Sequence, residues 1–119
     1  EGFDDVARSL AVGHHVSNKL SSGSICDAIV TPTPGQLTFP IIKDHCSKGF
    51  VVAEKEVLKA MALAFLRLKL VIEPGGAVAL ATALFRPKEI SGDTVIVIAS
   101  GGNVDHDIFA RALNTLNET

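Results

Sequence analysis

The sequence contains no tryptophan or tyrosine and only two cysteines. Its net charge is −2 and no run of like charges occurs, so it lacks the basic surface that nucleic-acid binding requires and we expect no nucleic-acid partner. Cys26 and Cys46 form no Cys-x-x-Cys pair and have no histidine at zinc-ligand spacing. We therefore interpret both as reduced thiols, which is typical of a cytoplasmic protein.

Long apolar runs are also missing. The longest, residues 75–85, is bounded by Glu73–Pro74 and Arg86–Pro87 and is too short for a bilayer span, which needs about 20 residues. Acidic residues near position 1 are the wrong charge for a secretory signal peptide, so we expect a soluble protein with no membrane partner. Hydrophobic residues nevertheless make up 47% of 119 residues, and mean hydropathy is +0.34. Because a domain this small hides little surface, we expect it to associate with other protein.

Predicted strands alternate with predicted helices along the chain. The strands are apolar throughout rather than alternating, which is typical of parallel strands covered on both faces. The order of elements predicts an α/β fold of three layers with a mainly parallel sheet. Strands are predicted over residues 24–31, 50–53 and 95–99, and helices over residues 6–12, 36–48, 54–70, 73–85 and 105–116.

The segment "VIVIASGGNVD" (95–105) ends an apolar strand on Ser100, Gly101, Gly102 and Asn103. Ligands of open α/β sheets bind beyond the carboxyl ends of strands, where glycines allow close approach and a serine offers a neutral hydroxyl. A simple tight turn would explain the same residues. Glu73 is similarly open to two interpretations, a ligand-facing carboxylate or a cap for the helix that begins at Pro74.

Four segments in order carry a family resemblance: "EGFDDVARSL" (1–10), "DAIVTPTPGQLTF" (27–39), "KLVIEPGGAVALATAL" (69–84) and "TVIVIASGGNVD" (94–105). Together they resemble the C-terminal part of the catalytic domain of fold-type II pyridoxal-phosphate enzymes, in the branch of threonine and serine dehydratases and serine racemase. The resemblance implies an incomplete piece of the tryptophan-synthase-beta-like fold, pyridoxal 5'-phosphate as cofactor, a small amino acid as substrate and a homodimeric complete enzyme.

The resemblance also implies roles for individual residues. Ser100 matches the residue that faces the pyridine nitrogen, and Gly101 and Gly102 keep the turn beneath the ring narrow. Glu73 matches a glutamate close to the cofactor, and Ala28 stands where the family usually has glycine after aspartate.

A divalent-ion site is implied less completely. Asp5 and the backbone carbonyl of Phe3 match ligands of the racemase-like members, but the glutamate that completes their site would precede Glu1. The Schiff-base lysine and the glycine-rich phosphate loop match no segment of residues 1–119, so we expect this chain alone to be inactive.

Three functions stay open from the sequence. The first is a fragment of a dehydratase that converts L-threonine or L-serine to a 2-oxo acid and ammonia by β-elimination. The second keeps fold and cofactor but racemises serine or eliminates from a modified hydroxy-amino acid. The third is a small α/β module that binds a ligand or a partner.

Overall fold

The computed structural model describes residues 1–117, and its regular structure is helical. Among these residues, no helix has the length and hydropathy needed to cross a membrane. The α-helices are α1 (Asp5–Val12), α2 (Thr38–His45), α3 (Glu54–Leu63), α4 (Pro74–Phe85) and α5 (His106–Asn114). Shorter helical turns cover Asp27–Ile29, Ala64–Leu68, Pro87–Glu89 and Thr115–Asn117.

The three predicted strands are wrong for this structure, because residues 1–117 contain no hydrogen-bonded strand. Residues 24–31 instead include a 3₁₀ turn, and residues 50–53 and 95–99 have no regular structure. A parallel strand forms only when neighbours accept and donate its backbone hydrogen bonds. Residues 95–99 meet no such neighbour among residues 1–117, and Ile96 is 88% exposed instead of buried.

Residues 1–24 and 29–51 form the first of two compact units. Gly13 ends α1 in the left-handed conformation, with its N–H donated to the Ser9 carbonyl at 2.8 Å. The Lys43 ammonium of α2 donates to the Gly13 carbonyl at 3.0 Å and so ties the two helices together. Phe39 is buried and contacts the ring of His15, with centroids 4.6 Å apart.

Residues 25–28 and the chain from Val52 onward form the second unit, in which α3 packs against both α4 and α5. Met61 of α3 is fully buried in a cluster that also contains several alanines. Alanines at these positions let helix backbones approach closely. The buried alanines of this core are Ala60, Ala64, Ala77, Ala81 and Ala112.

The predicted helix boundaries are correct at α4 and shifted at α3. Pro74 occupies the first turn of α4, where its missing N–H costs nothing, and the helix ends at Phe85 as predicted. The helix predicted over residues 54–70 instead becomes a π-helical turn at Ala64–Leu68, and Lys69 ends it with φ of 60°. The left-handed Lys69 therefore ends this helix where neither glycine nor proline stands.

An ion pair fastens α3 to the end of α4. The Arg86 guanidinium donates to both carboxylate oxygens of Glu56, at 2.6 and 2.9 Å. Glu56 also accepts the backbone N–H of Ala53 at 2.8 Å, which satisfies one free donor at the start of α3. The hydrogen bonds from Arg86 hold the pKa of Glu56 below its ordinary value, against the opposing effect of partial burial.

The lowered pKa of Glu56 predicts a specific acid sensitivity. The stabilisation is complete above the unfolded glutamate pKa of about 4.3 and is lost as the pH falls through the lower folded value. We expect Glu56→Gln and Arg86→Gln each to flatten the loss of unfolding free energy below about pH 4.3. Urea unfolding at a series of pH values from neutral to acidic measures the free energy of unfolding. An equally steep fall of that free energy at acidic pH in Glu56→Gln and in the unmodified protein would contradict the prediction.

Candidate functional site

The turn at Ser100–Asn103 lies against the first turn of α4. The N–H of Glu73 donates to the carbonyl of Gly101 at 3.0 Å, and the N–H of Asn103 donates to Glu73 Oε2 at 3.0 Å. Glu73 precedes α4 as its N-cap residue, yet its side chain makes no capping hydrogen bond. The Glu73 carboxylate therefore binds the backbone of the turn. The interpretation of Glu73 as a side-chain cap of α4 is wrong.

Three glycines make this contact possible. A Cβ on Gly76 would lie 2.8 and 2.9 Å from the backbone oxygen and nitrogen of Gly101. A Cβ on Gly101 would lie 2.8–3.0 Å from the carboxylate group of Glu73, and one on Gly102 would lie 2.7 Å from the carbonyl of Val71. The start of α4 and the turn at Ser100–Asn103 are thus in backbone contact. A larger residue at any of the three glycine positions would prevent this close approach.

Ser100 stands at the start of this turn with an exposed side chain. Its hydroxyl forms no hydrogen bond with any residue in the range 1–117. The hydroxyl can therefore donate to, or accept from, an external group. The nitrogen of a heteroaromatic ring such as that of pyridoxal phosphate is one group that this hydroxyl can donate to.

Ala28 lies in the same unit as Ser100, in the 3₁₀ turn Asp27–Ile29. It is exposed, and its N–H donates to the side chain of Asp27 at 2.8 Å. This hydrogen bond is local and does not join Ala28 to the Ser100 turn. Its predicted place in the cofactor site therefore stays a prediction.

Asp5 is buried in the first unit and serves as a hydrogen-bond acceptor. Its two carboxylate oxygens accept from the Asn18 amide at 2.9 Å and from the Thr31 hydroxyl at 3.4 Å. Within residues 1–117, no group of three or more histidine, cysteine, aspartate or glutamate side chains is placed to hold a metal ion. The ion site expected from Asp5 and the carbonyl of Phe3 stays a prediction, and the hydrogen bonds give Asp5 a structural role.

Three parts of this arrangement were not assigned from the sequence: Gly76, the backbone N–H of Asn103 and the backbone carbonyl of Val71. The signal for Gly76 was present, since two adjacent glycines at the start of a helix weaken it and imply a close contact. The other two are backbone groups, which no side-chain pattern reports.

Comparison with known proteins places the chain in a family. Residues 1–101 match the family model described as "Pyridoxal-phosphate dependent enzyme". Serine racemase of Dictyostelium discoideum is 41% identical over 118 residues, which cover 95% of this chain and 36% of that protein. The beta-hydroxyaspartate dehydratase of Paracoccus denitrificans (strain Pd 1222) is 36% identical over 107 residues, 90% of this chain and 33% of that protein.

A solved structure shows the same likeness in three dimensions. The threonine deaminase of T.th. superposes with a TM-score of 0.82 at 34% identity, over 88% of this chain and 37% of that one. The chain thus spans about a third of the length of each of these relatives. The matches confirm the resemblance read from the four sequence segments. The chain belongs to the pyridoxal-phosphate dependent enzyme family, and pyridoxal phosphate is the cofactor indicated for it.

Proposed function

We propose that residues 1–119 are the C-terminal part of the catalytic domain of a pyridoxal-phosphate-dependent ammonia-lyase. The complete enzyme converts L-threonine or L-serine to a 2-oxo acid and ammonia by β-elimination. The observation that carries the proposal is the turn with the free Ser100 hydroxyl, held on the start of α4 by Glu73. The match to threonine deaminase over 88% of the chain supports it.

Each residue of the turn has a defined part in this proposal. Pyridoxal phosphate, when bound, supplies an aromatic ring that accepts electrons from the substrate. Ser100 would hydrogen-bond the pyridine nitrogen through its neutral hydroxyl, which would leave that nitrogen less basic than an aspartate would. Gly101 and Gly102 let the turn lie close against Glu73 and Val71 and so place Ser100, and Ala28 lines the site. The lysine that holds the cofactor, and the loop that binds its phosphate, belong to segments outside residues 1–119.

We also propose that the complete enzyme is a cytoplasmic homodimer. Ile96 and Ile98 are 88% and 72% exposed, which supports covering of residues 95–98 by the rest of the catalytic domain and association of residues 1–119 when alone. Single exposed apolar residues are ordinary, but several in one short segment favour association.

The second candidate is a racemase or a lyase for hydroxyaspartate. The serine racemase and beta-hydroxyaspartate dehydratase relatives favour it, at 41% and 36% identity. Elimination and racemisation share the removal of a proton next to the substrate carboxylate, so Ser100 and its turn serve either reaction.

Product analysis separates these activities. Full-length gene product and residues 1–119 are supplied with pyridoxal phosphate and then with L-threonine, L-serine or 3-hydroxyaspartate. We expect 2-oxo acid from L-threonine and L-serine with the full-length protein, and none with residues 1–119. Formation of D-serine without 2-oxo acid would indicate racemisation. Formation of 2-oxo acid from 3-hydroxyaspartate alone would indicate a hydroxyaspartate lyase. A full-length protein without the absorption band of bound pyridoxal phosphate would overturn the proposal.

A further inference from the structure

We infer that Glu73 is a positioning residue, which holds the Ser100 turn in place through the backbone N–H of Asn103. The inference rests on the proposed function for its consequence, the placement of the Ser100 hydroxyl, but not for its geometry. It differs from the role implied by resemblance, because the carboxylate acts on the protein backbone and not on the cofactor.

The hydrogen bonds of Glu73 close the turn from both sides. Its backbone N–H donates to the Gly101 carbonyl, and its carboxylate accepts from Asn103 two residues later, each at 3.0 Å. A hydrogen bond to a charged acceptor is about twice as strong as a neutral one. One residue therefore holds two peptide groups of the turn, Gly101–Gly102 and Gly102–Asn103.

Packing gives a second and independent reason. The carboxylate group of Glu73 fills the space that a Cβ on Gly101 would take, at 2.8–3.0 Å. Since that group is the far end of a flexible side chain, a methyl group on Gly101 would displace it. Gly101→Ala is thus expected to break the contact between Glu73 and Asn103, as truncation of Glu73 itself does.

Amide hydrogen exchange at Asn103 in the cofactor-free, full-length protein tests the inference directly. We expect Glu73→Ala to speed exchange at Asn103 roughly tenfold or more, since the lost bond is charge-assisted. Glu73→Gln keeps an oxygen acceptor of the same length and should restore exchange to within about threefold of the unmodified protein. Gly101→Ala should match Glu73→Ala, and the double variant should add little more.

Glu56 offers a matched control in the same unit. It too accepts a backbone N–H, that of Ala53 at 2.8 Å, and it pairs with Arg86 at the far end of α4, so Glu56→Ala should speed exchange at Ala53 far more than at Asn103. Pyridoxal phosphate affinity is then measured for every variant. We expect it to fall for Glu73→Ala, to recover for Glu73→Gln and to stay constant for Glu56→Ala.

Two results would overturn the positioning role. One is unchanged exchange at Asn103 in Glu73→Ala. The other is weaker cofactor binding in Glu73→Gln as severe as in Glu73→Ala, which would mean that the charge acts on the cofactor itself. If the unmodified protein binds no pyridoxal phosphate, the proposed function fails, while the exchange result still decides whether Glu73 holds the turn.

Discussion

Replacing Gly76 by alanine is expected to lower the free energy of unfolding by about 1–2 kcal/mol. Alanine is the better helix former by up to about 1 kcal/mol, so helix propensity alone predicts the opposite sign. The new Cβ would however lie 2.8 and 2.9 Å from backbone atoms of Gly101, which cannot turn aside as a side chain does. Overpacking of this kind costs about 1–3 kcal/mol.

Relief of that contact must move the turn away from α4. Ser100 precedes Gly101 directly, so we expect roughly tenfold weaker pyridoxal phosphate binding by the full-length Gly76→Ala protein, the loss that corresponds to about 1.4 kcal/mol. Denaturant unfolding and cofactor titration measure the two effects on the same preparation. A variant as stable as the unmodified protein would show that α4 and the turn are not held in this contact.

Gly49→Ala is the control for Gly76→Ala. Its Cβ would lie 2.5 Å from the Cα of Ala7, so it also forces backbone apart, but within the first unit. We expect a comparable loss of stability with cofactor affinity unchanged. Equal loss of affinity in both variants would mean that general destabilisation, and not the position of the turn, weakens binding.

Helices were predictable from this sequence because their hydrogen bonds are local. Pro74 and the apolar run after it indicate α4, and the acidic residues Glu54 and Glu56 indicate the start of α3. The end of α3 was not predictable, since a π-helical turn and a left-handed Lys69 leave no mark in composition. Boundaries set by such backbone geometry depend on packing with the rest of the unit.

The strand predictions were wrong for a different reason. An apolar segment such as residues 95–99 is suited to a strand that is covered on both faces. It forms that strand only when neighbouring strands and helices surround it. The α/β class is consistent with the solved relatives, whereas residues 1–117 are helical by themselves. The sequence pattern of residues 95–99 thus predicts the strand that they form when a sheet surrounds them. Residues 1–117 provide no such sheet, so the segment has no regular structure there.

At the site, sequence could identify the side chains but not the contact between them. The pairing of "EPGGA" with "SGGN" points to Glu73 and Ser100. Nothing in either motif reveals that the Glu73 carboxylate accepts from the Asn103 backbone, because backbone donors are the same at every position. Three-dimensional packing supplies that step.

Replacing Met61 by alanine is the second large effect we expect, a loss of about 2–5 kcal/mol in the free energy of unfolding. Met61 is 0% exposed and lies in the cluster that joins α3 to α4 and α5. The alanines of the same cluster, Ala60, Ala64 and Ala77 among them, are too short to extend into the space that the thioether leaves. We expect a cavity to remain, so that loss of contacts adds to loss of apolar burial.

Met61→Leu separates cavity formation from loss of the methionine itself. Leucine keeps nearly the same volume, so this exchange should cost less than about 1.5 kcal/mol. Denaturant unfolding of both variants gives the comparison, and equal losses would show that sulfur contacts or shape, and not volume, stabilise the core. Because α3 supports α4, and α4 carries Glu73 and Gly76 to the turn, Met61→Ala should also speed amide exchange at Asn103. Met61→Leu should leave that exchange unchanged, which would connect the packing of an alanine-rich core to the position of a single serine hydroxyl.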